Sequence, residues 1–138
     1  MKTFPLITLL LLCAPVTFAA DTSTPADSAN IEHGRYLCEQ VCLCGECHTP
    51  RTDKGDLDRS QWLQGELVHT KPDNRIPYAA IAPPIAGLPG YATDAIALRF
   101  FETGTNSLGK MAMAPMPQFR FNHDDALAVV AYLRSFKK

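Results

Sequence analysis

Four of the five cysteines in this 138-residue chain fall within one run of eleven, Cys38-Glu-Gln-Val-Cys42-Leu-Cys44-Gly-Glu-Cys47-His48. Thiols crowded in this way are metal ligands, redox thiols, local disulfides or points of covalent attachment. Inside the run, Cys44-Gly45-Glu46-Cys47-His48 has the C-x-x-C-H spacing by which a c-type haem is attached. Two thiols three positions apart on a helical turn can each add to one vinyl group of the same porphyrin. The next residue, His48, is then placed to bind the iron through its imidazole.

Other uses of the same residues fit less well. A thioredoxin-like dithiol belongs at the end of a strand in a βαβ setting, and no strand is evident here. A structural zinc site could draw on Cys38, Cys42, Cys44, Cys47 and His48, but it lacks the second, distant ligand pair. Plain disulfides leave His48 unexplained.

Haem iron has a sixth position, and Met111-Ala-Met113-Ala-Pro-Met116-Pro117 supplies a candidate. A thioether opposite histidine raises the reduction potential. Met116 is the first choice because prolines on both sides fix its backbone. Met113 is the alternative and Met111 a distant third. His33, His69 and His123 read as surface or capping residues.

The compartment follows from the start of the chain. Residues 1–20 carry Lys2, an apolar run from Phe4 to Phe18, and Ala19-Ala20. This is the pattern of a cleaved secretory signal peptide, too short to span a bilayer as a helix. Its removal leaves four cysteines and no further apolar run of spanning length. A periplasmic location follows as the expectation. With 13 basic against 14 acidic residues, the chain has no cationic surface for nucleic acid.

After a flexible leader at 21–30, helical spacing runs from Ile31 to Leu43, with Asn30 as its cap and Tyr36, Leu37, Val41 and Cys38 facing inward. Residues 49–89 are rich in Pro, Gly and Asp and read as loop, with one helical turn near Ser60 to Leu63. Thr93 caps a helix to about Thr103 that Gly104 ends. Asn122 caps the last helix, whose stripe is Ala126, Val129, Val130, Leu133 and Phe136. The expected fold is all-α, with three to five short helices. So few helices and so long a loop bury little apolar surface, and an apolar cofactor would supply the missing core.

Together Gly34-Arg-Tyr-Leu37, Cys44 to His48 with Thr49-Pro50-Arg51, Ala82-Pro-Pro-Ile-Ala-Gly-Leu88, Pro115-Met116-Pro117 and Ala128 to Leu133 resemble the class I c-type cytochromes. Small monohaem periplasmic members related to dehydrogenase cytochrome subunits are the nearest in pattern. The resemblance implies a cytochrome c fold over residues 31–138, wrapped around one covalently bound haem with its iron. It implies that the Pro83 carbonyl accepts the His48 proton, that Ile85 covers the haem beside it, and that the first and last helices cross near Gly34, against Tyr132 and Leu133. It leaves Trp62 either to a haem propionate or to ordinary packing.

The implied activity is one-electron transfer between transient redox protein partners, without catalysis. The alternatives are a sensor or peroxide-reactive haem protein, or a subunit of a larger dehydrogenase or oxidase. Cys38 and Cys42 depart from the family pattern. They are expected as free buried thiols, with a disulfide or a second function as alternatives, and Cys42 could compete in haem attachment.

Overall fold

Local chemistry marks the ends of two helices clearly. Asn122 accepts a hydrogen bond from the Asp125 N–H at 2.9 Å and starts helix His123–Arg134. Thr93 accepts from Ile96 N–H and starts helix Asp94–Thr103, which Gly104 closes at φ 68°. A side-chain acceptor at the cap and a left-handed glycine beyond the end satisfy backbone groups that the helix itself leaves open. Both helices start as expected from the sequence, but the last one stops at Arg134, so Phe136, expected on its stripe, lies just past its end.

The computed structural model describes residues 25–69 and 76–136. In chain order it has α1 (Pro25–Tyr36), a π-turn segment (Leu37–Val41), α2 (Cys44–His48), a 3₁₀ turn (Arg59–Gln61), β1 (Glu66–Leu67), β2 (Ile81–Ala82), α3 (Asp94–Thr103) and α4 (His123–Arg134). The expected signal peptide, residues 1–20, lies outside the described residues, as does the start of the leader.

Three expectations are corrected. The first helix begins at Pro25 and not after a cap at Asn30, so six of the ten residues of the supposed leader are helical. Proline is well suited to an opening turn, where its missing N–H costs nothing, and Asp27 adds negative charge at the positive end. The helix also does not run evenly to Leu43. The Cys42 N–H bonds Leu37 O at 2.8 Å, a wider turn than an α-helix makes. That turn rotates Val41 outward, leaving it 53% exposed, while Leu37 and Cys38 stay buried; Tyr36 is also exposed. Finally, β1 and β2 form a two-stranded antiparallel pair with Glu66 opposite Ala82 and Leu67 opposite Ile81. Two residues per strand are too few for alternation to show in the sequence. The fold remains mainly helical.

The core forms where α1 crosses α4. A Cβ on Gly34 would fall on the Ala128 carbonyl and within 2.8 Å of Tyr132 Cβ, so the backbones meet at a distance only glycine allows. Cys38, Ala126, Val129 and Leu133 fill the space around this crossing, with Phe100 and Phe101 of α3 in the same cluster. Arg134, at the end of α4, donates to Asp94 Oδ1 at 2.7 Å and to the carbonyls of Gly87, Leu88 and Tyr91 at 2.8, 3.3 and 3.0 Å. One guanidinium thereby ties the segment 87–91 and the start of α3 to the last helix.

The long loop is ordered by similar ties. Trp62 Nε1–H donates to Tyr132 Oη at 3.1 Å, and Tyr132 O–H donates to Glu39 Oε1 at 2.7 Å. Arg59 stacks over the Trp62 ring at 4.0 Å. The indole N–H is thus taken up by Tyr132, in keeping with the packing alternative for Trp62.

Candidate functional site

The turn that carries the attachment pattern is set by an abrupt change of backbone direction. Leu43, between the π-turn and α2, is left-handed at φ 52°. The five residues of α2 follow directly and bring Cys44, Cys47 and His48 to the wall of one cavity, to which Cys42 also contributes. Gly45 is required here, because a Cβ would overlap the six-membered ring of Trp62.

His48 is only 6% exposed, and its Nδ1 lies 2.6 Å from Pro83 O. A carbonyl can only accept, so Nδ1 carries the proton and Nε2 keeps its lone pair. Burial lowers the His48 pKa, and the Pro83 carbonyl partly opposes that by favouring the protonated ring. A neutral imidazole with one nitrogen held and the other free is the form that binds a metal.

The cavity has a volume of about 580 Å³, within the usual range for small-molecule and cofactor sites. Its walls are mostly apolar, with the sulfur atoms, His48 and Tyr91 as the polar side chains among them. Pro83 and Ile85, both singled out from the sequence, line it. Met116 and Met113 line it too, whereas Met111 is 61% exposed and is not among the lining residues. Met116 packs against the core, while Met113 is half exposed. The methionine loop is anchored by Ala79 N–H to Ala114 O at 2.7 Å.

Cys38 does not line the cavity. It is 1% exposed, and a hydrogen bond with Cys44, together with burial, pushes its thiol well above the ordinary range. Burial likewise pushes Cys42 up, to about 11. Cys38 and Cys42 are both free thiols. His33 and His123 pair with Asp125 and Glu102 on the surface, each at 2.7 Å, and His69 is exposed beside Glu66. None of the three lines the cavity.

The donor set suits a covalently held haem: two thiols, a neutral imidazole with its far nitrogen fixed, and a thioether, all around one apolar cavity. The sequence marks Thr49 only as part of the family pattern and Leu63 only as part of a turn; it does not show that Thr49 is fully buried or that the Leu63 N–H donates to its Oγ1 at 3.0 Å. A hydroxyl acceptor for a backbone donor fourteen residues away leaves no periodic signal. Tyr91 and Phe119, which also line the cavity, carry no signal because they come from separate loops, and Leu88, part of the family pattern, has no role assigned by the sequence.

No protein-family model matches the chain. It is 33% identical over 104 residues to a diheme cytochrome c-type protein of Cereibacter sphaeroides, covering 75% of this chain and 34% of the relative. It is 34% identical over 107 residues to the fructose dehydrogenase cytochrome subunit of Gluconobacter japonicus, covering 74% of this chain and 21% of the relative. The chain thus spans about a third and a fifth of the lengths of these two relatives. Identity of a third across three quarters of the chain, joined to a helical fold that sets a Cys-x-x-Cys-His turn on an apolar cavity, makes this chain a distant member of the c-type cytochromes.

Proposed function

We propose that the protein is a one-electron carrier holding a single c-type haem, attached through Cys44 and Cys47, with His48 and Met116 as axial ligands of the iron. The observation that carries this reading is the His48 ring, whose Nδ1–H is spent on Pro83 O while the ring borders the cavity that Cys44, Cys47 and Met116 share. Bound haem would supply the one-electron couple between ferrous and ferric iron.

The residues around it have plain tasks. Cys44 and Cys47 prevent loss of the group, Pro83 orients His48, and Ile85 with its neighbours excludes water. Holding the iron on both sides leaves no open position for substrate, which is why the protein acts by electron transfer and not as an enzyme. Its donor and acceptor are redox proteins met through small, transient surfaces.

Residues 1–20 are read as a cleaved export signal and 31–138 as the haem domain, working in the periplasm. Among the described residues no helix is long and apolar enough to cross a membrane. The relative named as a dehydrogenase cytochrome subunit favours a second reading, in which the chain works inside an oxidoreductase complex.

The test is expression in a host that attaches haem covalently. The exported protein should be coloured, with an intact mass greater by one haem and lacking residues 1–20. Methionine ligation gives a weak ferric absorption band at the red end of the spectrum, and Met116→Ala should abolish it while Met113→Ala leaves it. The reverse result overturns the ligand assignment, and colourless protein overturns the proposal. Stoichiometric partners on purification from the native host would favour the subunit reading.

A further inference from the structure

The hydrogen bond between His48 and Pro83 joins two segments thirty-five residues apart, and one short stretch of loop holds both of them. On the histidine side, Gly65 N–H donates to His48 O at 2.7 Å, and Leu63 N–H donates to Thr49 Oγ1 at 3.0 Å. On the proline side, Leu63 O accepts from Ile85 N–H at 2.9 Å and from Ala86 N–H at 3.1 Å. Leu63 therefore bonds through its N–H to the residue after His48, and through its carbonyl to the residues just beyond Pro83. It is fully buried and left-handed at φ 59°, so this peptide has no water to turn to and little freedom to adjust.

Thr49 is the one side chain in this linkage. It is 0% exposed, and no backbone carbonyl stands in for its hydroxyl as acceptor of the Leu63 N–H. A valine of the same shape would leave that N–H buried without a partner, so Leu63 would have to move, and with it the anchor of the Pro83 segment.

We infer that Thr49 is a positioning residue for the iron ligand: its buried hydroxyl, acting through the Leu63 backbone, holds the Pro83 carbonyl against the His48 Nδ1 proton. This rests on His48 being an axial ligand, as proposed above. A firm Nδ1–H···O bond makes the imidazole a stronger donor and favours ferric iron, and loosening it shifts the potential in the positive direction.

The experiment uses haem-loaded protein. Thr49→Val should move the reduction potential positive and speed exchange of the His48 Nδ1 proton about five-fold, the weight of one ordinary hydrogen bond. Thr49→Ser, which keeps the acceptor, should leave both near their original values. A loaded Thr49→Val protein with unchanged potential and exchange overturns the inference, and so does a Thr49→Ser protein that shifts as far as the valine variant.

Wild-type loaded protein gives a measurement that no folding defect can obscure. The Leu63 amide and the His48 Nδ1 proton should exchange through one common opening, with the same dependence on denaturant. A Leu63 amide that exchanges freely while the His48 proton stays protected overturns the linkage. Failure of the ligand assignment would read differently, as wild-type protein in which His48 does not bind the iron.

Discussion

The ring of Trp62 occupies the space that any side chain on Gly45 would need. The attachment turn is therefore pressed against a large aromatic that cannot step aside cheaply, since Tyr132 holds its N–H and Arg59 covers its face.

Gly45→Ala should consequently destabilise the protein, although alanine is the better helix former. The propensity gain is about 1 kcal/mol at most, and in a turn of five residues less. Displacing packed side chains costs about 1–3 kcal/mol. A net loss of about 1–2 kcal/mol in a urea denaturation series is expected, and a variant more stable than the parent would refute the packing argument.

Arg134 gives a second prediction. Its side chain is 15% exposed and bonds one carboxylate and three carbonyls, all on the segment from Gly87 to Asp94. Charge-assisted bonds of this kind are worth about 1.5–3 kcal/mol each when well buried, but not additively. Arg134→Ala should lose about 3 kcal/mol by denaturant titration. Arg134→Lys should recover less than half of that, because an ammonium cannot reproduce the planar fork. Full recovery by lysine would mean that charge alone matters.

The helices that could be read directly from the sequence were those whose chemistry is local. Asn122 and Thr93 announce a cap because the acceptor and the N–H it serves lie three residues apart. Gly104 announces an end for the same reason. The Cys-x-x-Cys-His spacing was legible because two attachment points and a ligand on one turn leave few choices of spacing.

The π-turn at Leu37–Val41 was not legible. One wider turn changes no residue type, yet it decides that Val41 faces solvent. Thr49, Leu63 and the Trp62–Tyr132–Glu39 chain were equally hidden, since each contact depends on loops meeting in space. Trp62 is an example: the sequence leaves it between a cofactor contact and packing, and only the fold brings its N–H to Tyr132.

The spare thiols offer a third prediction. Cys42 is half-buried at the cavity and Cys38 is sealed in the core, so in protein whose Cys44 and Cys47 are taken up as proposed, a small alkylating reagent should modify one thiol under native conditions and two after denaturation. Burial raises the Cys42 pKa first of all, to about 11. The thiolate is the reactive form. Its alkylation rate should therefore keep climbing about ten-fold per pH unit beyond pH 9, where an ordinary thiol with a pKa of about 8.5 levels off. A plateau near pH 9, measured by mass spectrometry of the labelled peptide, would contradict the burial argument.

The grip of Arg134 and Leu133 on the stretch from Gly87 to Tyr91 also couples the last helix to the cavity. One wall of the cavity, from Leu88 to Tyr91, is thus fastened by residues at the other end of the described chain from Cys44 and Cys47. Anything that lifts the last helix would therefore open that side of the lining as well.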